Sequence, residues 1–297
     1  MKANESTQQD PKDRGDKPPF REKPQSSPGR ESAMREKPDY GETSYKGTGR
    51  LRDRVALVTG ADSGIGRAVA LAFAREGADV AIAYYNEHDD AEVTAGVVRE
   101  AGRRSILLPG DIADPSFCQE MVTKTVAELG KLDIVVNNAA FQGKAVEKFT
   151  DLTPERIERT FRVNVMAMFH IARAALARMK PGSSIINTAS IQAYQPTASI
   201  LDYATTKAAI VAFTKGLAQE TIEDGVRVNC VAPGPVWTPL IAQSFEGDKL
   251  QNFGKDSPMG RPAQPRELAP AYVFLASSES SYVNGEVLGV TGGRPLG

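Results

Sequence analysis

Tyr203 and Lys207 stand four residues apart at the end of the stretch 190–207, S-I-Q-A-Y-Q-P-T-A-S-I-L-D-Y-A-T-T-K. On a helix that spacing puts both side chains on one face. A free phenol, with a pKa near ~10, is a poor acid or base at neutral pH, but a neighbouring ammonium favours the phenolate and lowers it. Tyr203 could then exchange a proton with a substrate oxygen. Ser190, which closes the preceding apolar run, would hold that oxygen by a hydrogen bond. The bland alternative is a half-buried aromatic beside a solvated cation, so a lone Tyr-x-x-x-Lys needs support from the rest of the chain.

The elements that must position these residues are legible as periodicity. Short apolar, β-branched runs at 55–59, 79–84, 105–109, 132–137, 184–187, 226–231 and 286–290 read as strands, those at 55–59 and 184–187 as buried ones. Between them lie helical patterns after the first run and over about 89–101, 115–129, 154–179 and 204–222. Strands alternating with helices predict an α/β fold, a doubly wound parallel sheet of Rossmann-like type in a single domain over 49–297. Ligands in such sheets sit beyond the carboxyl ends of the strands. The polar signals fall at those ends: Thr59-Gly60, Asp111, Asn137-Asn138-Ala139-Ala140, Ser190 and Pro233-Gly234. Singly each has an ordinary reading, Asn138 as a tie between loops and Pro233-Gly234 as a turn.

The first run leads directly into Gly60-Ala61-Asp62-Ser63-Gly64-Ile65-Gly66 and then a helix stopped near Gly77. Strand, glycine turn and helix in that order are the context for a dinucleotide site. The glycines admit a pyrophosphate to the backbone, and the helix N-terminus offers free N–H groups and a positive dipole end.

Composition bounds the class. The chain has 297 residues, 41% hydrophobic and 25% charged, with a net charge of -1. That balance makes no electrostatic case for nucleic acid or an anionic membrane. No stretch reaches the ~18 apolar residues of a membrane span, and the N-terminus has no secretory core. Cys118 and Cys230 are far apart and fit a reducing compartment, and two histidines are too few for an ordinary metal site, so none is assigned. The protein is expected to be soluble and cytoplasmic. Residues 1–48 stand apart, with Pro- and charge-rich composition and few aliphatic residues, and read as a mostly disordered arm. The alternative is docking on the body or a neighbouring subunit through Tyr40 and Tyr45.

In these motifs the chain resembles the classical short-chain dehydrogenase/reductase family. The carriers are the glycine turn, Asn137-Asn138-Ala139-Ala140, Asn164 in Phe-Arg-Val-Asn-Val, Ser190, Tyr203-x-x-x-Lys207 and Pro233-Gly234-Pro-Val-Trp-Thr238, in that order over about 50–297. The arm and the wording of the glycine turn are similar to a bacterial general-stress or glucose/ribitol-dehydrogenase-like subgroup. The resemblance implies a catalytic set of Asn164, Ser190, Tyr203 and Lys207, with Lys207 also on the nicotinamide ribose and Asn164 linking Lys207 to solvent through a water. It implies cofactor contacts at Gly60, Ser63, Gly64, Ile65 and Gly66, at Asp111 and Ile112 toward adenine, at Asn138, Ala139 and Ala140, and at Pro233, Gly234, Val236 and Thr238. A homotetramer packed through the helices around 154–179 and 204–222 is inherited in the same way. The family's fourth-strand motif usually ends in glycine where this chain has Ala140, which puts the path of Phe141-Gln142 in question.

The expected cofactor is NAD(P). At the end of the second strand, where an acid selects NAD and a base NADP, the chain has Tyr84-Tyr85-Asn86, which is neither. Asp62 would repel a 2′-phosphate and Arg67 would face away, so the charge balance leans to NAD. The substrate side is a polar segment between Pro235 and Glu267 of a size suited to a lid. With Gln142, Gln192, Tyr194, Gln195 and Trp237 it describes a mixed pocket for a polyol, sugar or small carbonyl. A catalytically idle NAD(P)-binding sensor or scaffold is the alternative, and a broken catalytic set would favour it. The close Tyr–Lys spacing argues against an enoyl reductase, and the glycine pattern against an epimerase.

Overall fold

The computed structural model describes residues 10–297. Seven strands, β1 (Val55–Thr59), β2 (Asp79–Tyr84), β3 (Ser105–Pro109), β4 (Ile134–Asn137), β5 (Ser184–Thr188), β6 (Arg227–Pro233) and β7 (Val287–Val290), form one parallel sheet in the order β3-β2-β1-β4-β5-β6-β7. The chain winds outward from β1 to β3 and then returns to pair β4 with the other side of β1, with Leu57 opposite Val135. The crevice above β1 and β4 is the switch point where such sheets bind ligands.

Both faces of the five inner strands are covered, which explains why they read as continuous apolar runs, while the edge strands β3 and β7 stay partly exposed. Along β1, Ala56 and Val58 belong to one core and Val55 and Leu57 to the other. Helices α1 (Gly64–Arg75), α2 (His88–Glu100) and the late helix Ala269–Ala276 cover the first face. Helices α3 (Pro115–Leu129), α5 (Ala167–Leu176) and α6 (Leu201–Thr221) cover the second. Among the described residues no helix is long and apolar enough to cross a membrane.

The single helix expected over 154–179 is instead three pieces. α4 (Pro154–Phe161) is followed by a π turn at Arg162–Met166 and then α5. Helical composition continues through the junction, so nothing in the sequence marks the extra residue the π turn accommodates.

The arm departs most from its composition. Its first nine residues lie outside the described residues, but 10–48 run across the domain. A few anchors hold it rather than a continuous core. Phe20 is buried and stacked on Trp237 with ring centroids 3.9 Å apart, and Met34 joins the same cluster. Burying one such side chain is worth roughly 1.5–3 kcal/mol, too little alone to offset the ordering of a segment. Ionic groups supply the rest. Glu76 at the end of α1 is wholly buried and accepts hydrogen bonds from the Tyr45 hydroxyl (2.7 Å), the Thr48 amide (2.8 Å) and Arg50. A segment-average composition conceals such isolated anchors.

Two short lid helices complete the frame, α7 (Pro239–Ser244) and α8 (Gly247–Gln251), so the late helix Ala269–Ala276 is α9.

Candidate active site

One cleft of about 590 Å³ opens above the carboxyl ends of the strands. Ser190, Tyr203 and Lys207 line it, and so does every residue the sequence assigns to the cofactor except Gly66. Gly66 serves close packing: a Cβ there would lie 2.0 Å from the Gly60 carbonyl oxygen, beneath the turn rather than in it. Asn164 stands behind the lining.

Tyr203 and Lys207 are on the first turns of α6, and the start of that helix is fixed from outside. Asp202, whose carboxylate is buried, takes two parallel 3.0 Å hydrogen bonds from the Arg156 guanidinium of α4 and a third, at 2.9 Å, from Thr160. A bidentate, charge-assisted pair of this kind sets direction as well as distance. Ser190 caps the short 3₁₀ turn after β5, its hydroxyl accepting from the Gln192 amide at 3.1 Å.

The electrostatics differ from the simple sequence expectation. The Lys207 ammonium is buried and donates to the Thr188 carbonyl at 2.8 Å, lying 5.2 Å from the centre of the Tyr203 ring. Burial pushes Lys207 down to about 8. Burial also raises the Tyr203 phenol above its ordinary value, with the Ser190 hydroxyl pulling the other way. The expected lowering by Lys207 is therefore corrected for the ligand-free protein: desolvation of the phenolate outweighs it.

Asn164 sits inside the π turn, a distortion often found at functional sites. Its carboxamide accepts from the Phe141 amide (2.7 Å) and donates to the Phe141 carbonyl (2.9 Å) and to Thr206 of α6 (3.0 Å). It thus joins the loop after β4 to the helix that carries Lys207. Asn138 likewise ties loops together, donating to the carbonyls of Thr59 and Gly60 at 3.1 Å while lining the cleft.

At the glycine turn, Arg67 stays out of the cleft as expected, but it is buried and paired. Its guanidinium is buried beneath the turn and donates to the Asp62 carbonyl at 2.6 Å. It pairs with Glu31 of the arm and with Asp90. The cause is the arm, whose placement the local sequence does not reveal. Glu31 also accepts from the Gly64 amide at 2.8 Å. The next two amides of α1, at Ile65 and Gly66, have no partner among the described residues. Asp62 and Glu87 both line the cleft, and burial together with the Glu87 charge pushes Asp62 up to about 7. Glu87 lies one residue beyond the Tyr84-Tyr85-Asn86 end of β2 and was missed for that reason.

The substrate candidates separate. Gln142 and Gln192 line the cleft, with Leu240, Phe245 and Phe253 from the lid. Gln142 is buried and its amide nitrogen has no hydrogen-bond partner. Trp237 and Tyr194 do not line the cleft. Trp237 lies under Phe20 with its indole N–H bound to the Glu36 carbonyl at 2.8 Å, and Tyr194 packs in the cluster of Met168 and Cys230. Gln195 donates to the Pro295 carbonyl, also away from the cleft.

A family model described as enoyl-(acyl carrier protein) reductase matches residues 60–294. The chain is 51% identical to general stress protein 39 of Bacillus subtilis, with 90% of this chain and 93% of that protein covered. It is 48% identical to glucose and ribitol dehydrogenase of Daucus carota, over 92% of this chain and 95% of that one. A short chain dehydrogenase from Burkholderia cenocepacia, solved in complex with NADP, superposes with a TM-score of 0.78 at 33% identity, over 82% of this chain and 98% of that one.

Proposed function

Because the chain belongs to the short-chain dehydrogenase/reductase family, we propose that this oxidoreductase interconverts an alcohol and a carbonyl with a nicotinamide dinucleotide, Tyr203 acting as the acid and base. The convergence of Ser190, Tyr203 and Lys207 on a cleft whose opposite wall is the glycine turn carries the reading. The cleft suits the cofactor: the unpartnered Ile65 amide at the N-terminus of a twelve-residue helix presents a donor and a positive dipole end to a pyrophosphate. When bound, the cofactor gives or takes the hydride. The chain itself handles the proton. Tyr203, held protonated by its burial, donates from its hydroxyl to a carbonyl oxygen, while the Ser190 hydroxyl holds that oxygen in place. Lys207, fixed by the Thr188 carbonyl, supplies the positive charge that offsets the phenolate left behind.

NAD is the cofactor this site favours. A 2′-phosphate would meet the acids Asp62 and Glu87, and Arg67, the cation beneath the turn, is already paired with Glu31 and Asp90. The NADP held by the Burkholderia neighbour argues the other way at family level, and the preference for NAD rests on the acids of this chain. For the substrate, a buried donor without a partner is costly, and a hydroxyl or carbonyl oxygen near Gln142 would relieve it. A polyol, sugar or small carbonyl compound fits, in line with the printed name of the carrot relative. A subunit contact, as a homotetramer requires, is suggested by Met166 at the end of the π turn and Phe169 early in α5, which stay exposed, the latter ring against Phe213 of α6.

Titration with NADH and NADPH by nicotinamide fluorescence, then a screen of sugars, polyols and small carbonyls, tests this. Tyr203→Phe should lower turnover about 10²–10⁴-fold while cofactor affinity persists. Binding of neither cofactor sinks the proposal, and binding without turnover on a broad panel selects the sensor.

A further inference from the structure

The arm crosses the mouth of the cleft and touches both of its sides. On the lid side, the Phe20 amide donates to the Gln251 carbonyl of α8 (2.8 Å), the Gln25 amide to the Ala242 carbonyl of α7 (2.9 Å) and the Gly29 amide to the Gln243 side chain (2.6 Å). On the body side, Glu31 pairs with Arg67 and the Gly64 amide, and Asp90 of α2 accepts from the Glu31 and Ser32 amides at 2.7 and 2.9 Å. Between the two sets of contacts, Ser27, Pro28 and Gly29 line the same cleft as the glycine turn. The fit to the lid is close: a Cβ on Gly29 would stand 2.5 Å from the Pro239 carbonyl oxygen, a backbone atom that no rotamer change can move.

We propose that residues 20–36 form a strap that closes the cofactor cleft, with Ser27, Pro28 and Gly29 as its wall and Glu31 as the positioning residue that fixes it to α1. The strap and the α7–α8 lid are bonded to each other, so the cofactor leaves when they separate from the body together. This rests on the dinucleotide reading given above. Glu31 is suited to the role because it takes the first free amide of α1 and leaves the next, at Ile65, for the ligand. A charge-assisted contact to a buried guanidinium holds more strongly than a neutral one. The apolar latch is Phe20 on Trp237, outside the cleft lining.

The test is stopped-flow release of NADH from the full-length protein and from Phe20→Ala, Gly29→Val and Glu31→Gln. Each variant should release NADH about tenfold faster or more, the equivalent of losing one strong contact, with Kd raised by a similar factor. Trypsin cleavage after the exposed Arg30 should be slowed by saturating NADH in the wild type and not in Gly29→Val. Folded variants that release NADH at the wild-type rate overturn the strap. If Glu31→Gln does not fold, Phe20→Ala decides, since it removes no charge from the buried pair. A wild-type protein that binds neither NADH nor NADPH overturns the dinucleotide reading, and the strap falls with it.

Discussion

The side-chain amide of Asn164 pairs with both backbone groups of Phe141, at 2.7 and 2.9 Å, as a second strand would. The π turn presents that amide, and its third bond, to Thr206, reaches the helix of Tyr203 and Lys207. Asn164→Ala should therefore loosen the loop after β4 and lower kcat about 10–100-fold, the scale of an ångström-sized misplacement. Asn164→Asp, which cannot donate to the Phe141 carbonyl, should do nearly as much. Steady-state kinetics beside cofactor titration checks this, and unchanged kcat in either variant refutes it.

Lys207 carries a stability cost. Its folded value of about 8 lies below the ordinary 10.5. Between those limits the unfolded chain holds more protons, so the ligand-free protein gains stability as pH rises from about 8 toward 10.5. Lys207→Met should be more stable than wild type at pH 7 by about 1–3 kcal/mol, with the gap closing through that window, and should lose turnover. Thermal melts across pH, set against activity, read both effects.

Turnover should also be asymmetric in pH. A phenol raised by burial is a ready proton donor at neutral pH and a poor base. Carbonyl reduction should hold its rate from pH 6 to 8, roughly the range in which such a phenol stays protonated, while alcohol oxidation climbs as pH rises. Parallel pH profiles in the two directions would show equal pH dependence if the assignment of Tyr203 were wrong.

Measured near pH 8, where an Asp62 raised to about 7 is mostly ionised, Asp62→Asn with Glu87→Gln should improve NADP affinity by about tenfold or more and change NAD affinity little, since a close like charge costs on the order of 1 kcal/mol each. The single Asp62→Asn change has a second signature. Asp62 is raised from 3.8 to about 7, so the folded protein binds the extra proton, and its stability falls as pH rises through that interval. The variant should lack this fall, which melts between pH 4 and 8 would record.

Glu76 closes the junction between arm and domain. Burial alone would raise it, but Arg50 and the backbone amides of Arg50 and Thr48 hold it down at about 2. Its contribution is present above 4.5 and lost as pH falls toward 2. Glu76→Gln should cost about 2–4 kcal/mol at pH 7, and denaturant unfolding should show the difference vanishing in acid.

The strand at 79–84 was legible to the residue because a strand covered on both faces needs an unbroken apolar run, and the half-buried edge strand at 105–109 was legible from its short apolar run alone. The candidate catalytic residues could be grouped from the sequence because Tyr203 and Lys207 share one helix and Ser190 follows the strand before it. The π turn was not, since an extra residue inside a helical pattern leaves the composition unchanged. The end of β2 misled by one position: Tyr84-Tyr85-Asn86 looked neutral, yet Glu87 turns back into the cleft.

By itself the sequence determined the parallel α/β order, the glycine turn and the candidate set of Ser190, Tyr203 and Lys207, all set by spacing within an element or between consecutive ones. Tertiary structure decided what spans distant parts of the chain. It buried Arg67 against Glu31, thirty-six residues earlier. It moved Trp237 from the pocket to the underside of Phe20, and it laid an arm of disordered composition across the cleft. A few buried charges and rings, each with its partner far away in sequence, are enough to order a segment, and no local average records where those partners stand.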